Sequence, residues 1–147
     1  MEYTLVKKNF KVVGIKGNGA FENFSEEVPA LARQVLSRSN EIANHLGIEV
    51  ALFEPKRESA HLVGEYIVGL LVNDALSAVP DGMEFVEINQ QFVSARDKVS
   101  NISSLHSNLL KWGDEKGYTR NLESYIVETY HPIEEAEEEV QIYLPIF

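Results

Sequence analysis

The stretch Ser124-Tyr-Ile-Val-Glu-Thr-Tyr-His-Pro132, read with Val140-Gln-Ile-Tyr-Leu-Pro-Ile-Phe147, predicts two paired strands that organise the chain. Both runs are rich in β-branched and aromatic residues, which favour strands, and the first ends at a proline. Alternation along the first run places Ile126, Glu128 and Tyr130 on one face. Tyr125, Val127 and Thr129 lie on the other. A carboxylate thus shares its face with apolar Ile126.

Glu128 has two interpretations at this stage. It is either a surface glutamate opposite a lysine of a neighbouring strand, or an inward carboxylate enclosed by aromatic side chains. Burial of an unpaired charge costs several kcal/mol (~2–7 for a polar group, more for an ion) unless the group is neutralised or paired. An inward Glu128 would therefore reserve a place for a cation, a proton or a hydrogen-bond donor.

Composition narrows the possible classes of function. The chain has 147 residues, 44% of them hydrophobic, a formal net charge of −10 and no cysteine. This predicts one globular domain without disulfides or thiolate chemistry. A surface of this charge disfavours direct binding to nucleic acid. We expect a cytoplasmic protein, because the first residues are too polar for a signal peptide and no run is long enough to cross a membrane.

The chain order suggests two similar halves. The sequence of each half predicts a strand, a helix and two further strands. The expected elements are strands at 3–8 and 10–17, a helix from Ser25 to Gly47, strands at 49–54 and 62–72, an extended region at 83–96, a helix from Ser103 to Gly117, and strands at 121–131 and 140–146 around an acidic loop at 134–139.

These elements predict an α+β fold in which duplicated βαββ units form one antiparallel sheet, with two helices on one face. We expect a single domain over residues 1–147, with pseudo-repeats at about 1–73 and 83–147 and a linker at 74–82. A central ligand cleft would lie on the pseudo-two-fold axis between helices and sheet, where packing is least complete.

Several ordered motifs carry a resemblance to a known family. They are Phe21-Glu-Asn-Phe24, Ala51-Leu-Phe-Glu-Pro55, Val63-Gly-Glu-Tyr-Ile-Val-Gly69, Val127-Glu-Thr-Tyr-His-Pro132 and Gln141-Ile-Tyr-Leu-Pro-Ile146. The chain resembles, over essentially its whole length, the GyrI-like small-molecule-binding domain. This domain is also called the AraC effector-binding or bacterial multidrug-sensor domain.

The resemblance implies a duplicated βαββ, SHS2-like fold with a pocket for bulky, often cationic aromatic compounds. It places Glu128 at the pocket floor and Tyr143 as an aromatic of the last strand. Many members carry a glutamate where this chain has Gln141, a departure that removes a possible second charge. The candidate ligand-binding residues are Glu128, Tyr143, Trp112, Tyr66, Phe21, Gln141, Tyr125 and Tyr130.

Trp112 and Tyr143 are the foremost candidates for the pocket wall, although a single aromatic on a strand or helix most often packs in a core. The four histidines show no ligand spacing, so neither a metal nor a cofactor is expected. His106 shares a helix with Trp112 and is expected at the surface or partly buried, within possible reach of the pocket.

The leading functional hypothesis is a stand-alone binding domain for hydrophobic or cationic small molecules, without nucleic-acid or membrane binding. One alternative is a hydrolase of strained, cyclopropane-bearing genotoxins, with Glu128 as general base and Tyr130 or Tyr143 as donor. A second alternative is a protein-interaction module similar to gyrase inhibitors, whose protein partner is unknown.

Overall fold

The computed structural model describes residues 2–75 and 78–147. It contains six strands, two α-helices and three short 3₁₀ helices. The strands are β1 (Thr4–Ala20), β2 (His45–Phe53), β3 (Val63–Val72), β4 (Glu84–Lys98), β5 (Ile126–His131) and β6 (Glu139–Ile146). The α-helices are α1 (Phe24–Ser37) and α2 (Ile102–Glu115), and the 3₁₀ helices span Phe21–Asn23, Ser39–Glu41 and Val99–Asn101.

All strand pairs are antiparallel, and the sheet closes on itself in the order β1-β3-β2-β5-β6-β4. The predicted α+β class, with six antiparallel strands and two helices, is confirmed. The halves meet twice, through β2 with β5 and through β1 with β4. An internal duplication of the sequence remains a prediction.

Closure depends on the unusual length of β1. Its first part pairs with β4 and its last part with β3, and residues 12–14 pair with both. Gly14 lies opposite Gly69 of β3 at this point, and a Cβ atom added to Gly14 would come 2.2 Å from the Val68 carbonyl oxygen. Two glycines therefore permit the close backbone approach that lets one strand serve both neighbours.

Alternate side chains fill the barrel or cover its outside. The interior cluster contains Phe10, Phe92 and Tyr143, whose rings meet edge to face, with Leu52 and Val127. Neighbouring positions on the same strands point outward and pack against the helices. The cavity described below lies on that outer, helix-covered side.

Both helices use an apolar stripe at helical spacing. Val28, Ala32 and Val35 of α1 are buried, as are Leu105 and Leu109 of α2. Helix α1 packs on β3 and β1, and α2 packs on β4 and β6. The helices thus stand side by side over the same face of the sheet, as the sequence predicts.

Several predicted boundaries are wrong. The first helix ends at Ser37 rather than Gly47, because the Ser-Arg-Ser-Asn run at 37–40 favours turns over helix. Gly47, at φ +75°, instead belongs to β2, whose register shifts between His45 and Glu49. The stretches at 3–8 and 10–17 are one continuous strand.

Two further boundaries differ in the second half. The expected strand at 121–131 begins only at Ile126. The N-cap of α2 is Asn101 rather than Ser103. Two residues of the expected linker at 74–82, Leu76 and Ser77, lie outside the described residues. Among the residues described, no helix combines the length and the apolar character needed to cross a bilayer.

Candidate ligand cavity

A cavity of about 580 Å³ opens between the two helices and the outer face of β2 and β5. Helix α1 supplies Phe24 and Val28, α2 supplies Ile102 and His106, and β5 supplies Ile126, Glu128 and Tyr130. Phe21, Phe53, Pro55 and Lys56 complete much of the rim and wall. Ligand sites are typically clefts of about 300–1,000 Å³ with mostly apolar walls and few polar groups. The cavity is of that kind.

Glu128 is the polar centre of this wall. It is only 6% exposed, and in the part of the chain that the structure describes it is the one charged side chain that is buried. Its Cα pairs with Ala51 of β2 and with Ile142 of β6. A small side chain at Ala51, on the same face, leaves room beside the carboxylate. Glu128 is thus a buried carboxylate between sheet and helices rather than a surface glutamate.

Each oxygen of the Glu128 carboxylate lies close to a different polar side chain. The Tyr130 hydroxyl donates a hydrogen bond of 2.6 Å to Oε1 of Glu128. Nε2 of His106, on α2, lies 3.3 Å from Oε2. Burial, followed by the nearby Glu128 charge, raises the pKa of Tyr130, so its phenol keeps the proton that it donates.

Phe24 is the hub of the aromatic wall. Its ring centroid lies 5.1 Å from that of Phe21, 6.0 Å from Phe53 and 5.0 Å from Tyr66. The Tyr66 hydroxyl donates to Oε1 of Glu27 at 2.9 Å, which ties β3 to α1 behind this wall. Burial raises the pKa of Tyr66, and the hydrogen bond to Glu27 adds to this. The wall is therefore fixed by packing and by a hydrogen bond.

Pro29 lies inside α1 and, like Ser25, borders the cavity. Proline has no backbone N–H, so it cannot donate the helical hydrogen bond to the Ser25 carbonyl four residues earlier.

Three of the residues proposed from the sequence line the cavity together, namely Glu128, Tyr130 and Phe21. Tyr66 lies behind Phe24 and is 5% exposed. Trp112 stacks on Tyr3 with a ring-centroid distance of 5.6 Å. It lies nearer the C-terminal end of α2 than Ile102 and His106, which line the cavity. Trp112 is not among the residues that line the cavity.

The other three candidates lie on the opposite face of the sheet from Glu128. Tyr143 pairs with Val127 and points into the barrel, where its ring lies 4.9 Å from Phe10. Gln141 pairs with Thr129 and donates to the Ser94 hydroxyl at 3.0 Å. The physical reason is parity: Glu128 pairs with Ile142, so odd-numbered positions of β6 face away from it.

Tyr125, on the inner side, belongs to a separate polar cavity of about 350 Å³. Its hydroxyl donates to Oε2 of Glu65 at 3.1 Å, and burial, followed by Glu65, raises the pKa of Tyr125 to about 12. Glu54 and Pro55 border both cavities. The Glu54 carboxylate binds Arg57 and His61, at 2.9 and 3.0 Å.

The main wall residues that sequence reasoning missed are Phe24 and Phe53, while Ile126 was placed on the face of Glu128 but not proposed as a ligand-binding residue. Phe24 and Phe53 stand inside the motifs Phe21-Glu-Asn-Phe24 and Ala51-Leu-Phe-Glu-Pro55, and Ile126 shares the predicted face of Glu128. Strand alternation from Glu128 finds Ile126. The pairing of Phe53 with Ile126, which brings β2 to the wall, is not visible without the register.

No family model matches the chain, and neither does any curated protein. Solved structures do match. The chain shares its fold with several of them. SAV2435, solved in complex with tetraphenylphosphonium, is 12% identical, with a TM-score of 0.73 over 100% of this chain and 94% of that one. The C-terminal domain of EcmrR is 16% identical, with a TM-score of 0.61 over 100% and 99%.

A hydrolase from Listeria innocua is also similar, at 9% identity and a TM-score of 0.57 over 99% of this chain and 92% of that one. The same fold thus occurs both in a protein solved with a bound small molecule and in a hydrolase. At such identities the likeness concerns the fold alone, and function must be argued from the site. In residues 2–75 and 78–147, no three histidine, aspartate or glutamate side chains are arranged to hold a metal ion.

Proposed function

We propose that this chain is a GyrI-like binding domain for amphipathic, cationic aromatic small molecules. The observation that carries the proposal is the position of Glu128, a carboxylate only 6% exposed on the wall of an otherwise largely apolar cavity of about 580 Å³. The absence of cysteine suits the cytoplasmic setting that we propose with it.

The binding mechanism follows from the cavity chemistry. A delocalised aromatic cation loses little hydration on leaving water, and its apolar surface is buried against Phe21, Phe24 and Phe53. Aromatic faces attract a cation by about 0.5–2 kcal/mol each. The Glu128 carboxylate offsets the charge in a region where water screens it poorly. The tetraphenylphosphonium bound to SAV2435, which has the same fold, is a guest of this chemical class.

The test compares a cation and a neutral compound of similar shape by calorimetric titration. Tetraphenylphosphonium is the cation and triphenylphosphine oxide is the neutral compound. We expect Glu128→Gln to weaken the binding of the cation by about 10–100-fold. Truncation of one partner of a buried charge pair costs about 2–5 kcal/mol, and this pair is only partly desolvated. The neutral compound should lose far less.

Glu123→Gln is the matched control, because the Glu123 side chain is 81% exposed and lies outside the main cavity. This variant should bind both compounds as the wild type does. Equal affinity of the wild type and Glu128→Gln for the cation would refute the proposal. The same holds if Glu123→Gln were the variant that lost cation binding.

A hydrolase is the second candidate, and the trio Glu128, Tyr130 and His106 favours it. These side chains form a connected set of a carboxylate, a phenol and an imidazole at 2.6 and 3.3 Å on the cavity wall. Glu128 would act as general base on water, and Tyr130 as donor. The test is to incubate the protein with a cyclopropane-bearing electrophile and search for the hydrolysed product by mass spectrometry. Turnover that survives Glu128→Gln would exclude this mechanism.

A further inference from the structure

The cavity contains a group that can itself become a cation beside Glu128. His106 projects from α2, and its Nε2 lies 3.3 Å from Oε2 of Glu128, with side-chain exposures of 30% and 8%. Histidine is the side chain whose charge ordinarily changes between pH 5 and 8. We propose that His106 is an internal competitor for Glu128, so that the cavity binds a cationic guest when His106 is neutral and releases it on acidification.

This inference rests on the proposed function and adds its regulation. The geometry that supports it is that each oxygen of the Glu128 carboxylate has a different neighbouring side chain. Tyr130 occupies Oε1 with a 2.6 Å hydrogen bond from a phenol that does not become a cation. Oε2 faces His106. The oxygen that remains to attract a guest is the one that a protonated His106 would neutralise.

Few other titratable groups line the cavity around His106. The other titratable groups that line the cavity are Tyr130 of β5 and, beyond β2, Glu54 and Lys56. Helix α1 contributes Phe24, Ser25, Val28 and Pro29 to the lining, and the 3₁₀ helix before α2 contributes Val99. On its far side α2 meets β4 and β6 through apolar residues such as Leu105 and Leu109. Glu128 is therefore the carboxylate with which a protonated His106 would form a direct ion pair.

Glu54 offers the rival explanation for any pH effect. Oε2 of Glu54 lies 3.0 Å from Nε2 of His61 and 2.9 Å from Arg57. His61 does not line the main cavity, and it packs edge-on against Phe21 at 4.9 Å. Protonation of His61 would change the charge near the rim rather than at Glu128. The two histidines can be separated by substitution.

The sign of the effect follows from mass action. Where His106 is neutral, the guest meets an uncompensated carboxylate. Where His106 is protonated, that proton must leave before the guest can take its place, and the apparent affinity is multiplied by the fraction of protein without the proton. We expect a loss of about tenfold between pH 8 and pH 5.5. A neutral guest should show no comparable loss.

The experiment measures the dissociation constant of tetraphenylphosphonium, whose charge does not depend on pH, at pH 8 and at pH 5.5. The wild type should bind about tenfold more weakly at pH 5.5. His106→Gln, which keeps a polar side chain without a titrating charge, should bind equally at both values. His61→Gln should keep the dependence of the wild type, and triphenylphosphine oxide should bind the wild type equally at both.

A second measurement does not depend on any variant. At pH 5.5, titrations in buffers of different ionisation enthalpy should show that the wild type releases up to one proton for each cation bound, and at pH 8 the release should be far smaller. Wild-type binding that is equal at both pH values, or a dependence that is abolished by His61→Gln but not by His106→Gln, would overturn this inference and leave the proposed function standing. No binding at either pH would overturn both.

Discussion

The Tyr130 hydroxyl donates a 2.6 Å hydrogen bond to Oε1 of Glu128, two residues earlier on the same face of β5. This pair explains how the fold keeps a carboxylate that is only 6% exposed. A buried anion is tolerated when donors satisfy it, and this donor comes from the same short strand. The Glu128 carboxyl group is therefore held in position by its own strand.

Tyr130→Phe should destabilise the protein by about 1–3 kcal/mol, because it leaves Oε1 of a buried carboxylate without a donor. Urea denaturation measures this loss. The same substitution in a Glu128→Gln background should cost less, since the neutral amide demands less from a donor. An equal loss in both backgrounds would show that the hydroxyl does not act through Glu128.

Phe24→Leu should lower the affinity for tetraphenylphosphonium by about 3–10-fold, because it removes one aromatic face and loosens the contacts with Phe21 and Phe53. Tyr143→Phe is the matched control, since the Tyr143 ring lies inside the barrel between Phe10 and Phe92. It should leave the affinity unchanged. Calorimetric titration of both variants decides the matter, and the reverse result would place the guest inside the barrel.

Phe92→Ala should cost about 3–5 kcal/mol of unfolding free energy, because Phe92 is 0% exposed at the centre of the barrel. Its ring meets those of Phe10 and Tyr143 at 5.6 and 5.7 Å. Phe147→Ala, at a site 72% exposed, should cost less than about 0.5 kcal/mol. Guanidinium denaturation compares the two, and similar losses would contradict the barrel core described above.

Glu49→Gln should stabilise the protein at pH 7.5, with a benefit that shrinks toward pH 4. Burial, followed by repulsion from Glu138, raises the pKa of Glu49. A carboxyl with a raised folded-state pKa contributes stability below its unfolded-state pKa, and that contribution is lost as pH rises through the raised value. The ionised form is thus unfavourable at neutral pH, and the amide avoids it.

Urea denaturation at both pH values measures this difference. Glu58→Gln is the control, because Glu58 lies in an exposed turn and should show no such trend. A benefit of Glu49→Gln that is constant with pH would mean that its origin is not the ionisation of Glu49.

Local rules predicted the part of the site that one strand creates. Alternation along residues 124–130 placed Ile126, Glu128 and Tyr130 on one face, and the structure confirms that arrangement. The βαββ order and the α+β class follow equally from local patterns. These features need no knowledge of which strands are neighbours.

Features that depend on register could not be obtained in this way. Strand β6 is largely buried on both faces, so its pattern does not reveal that Tyr143 turns into the barrel while Ile142 accompanies Glu128. Barrel closure requires β1 to pair on both sides at Gly14, a long-range property that no local pattern encodes. The first helix was extended to Gly47 because apolar Ile42 and Leu46 continue its spacing by coincidence.

The closed barrel has a consequence for engineering. Its hydrogen bonds lie within the sheet and its interior packing lies on one face, and the side chains that would choose a guest lie on the other face. Substitutions at Phe21, Phe24 or Ile126 can therefore reshape recognition while the scaffold beneath keeps its own cohesion. Under the proposed function, changes to the outer wall alone should retarget the domain toward other small molecules.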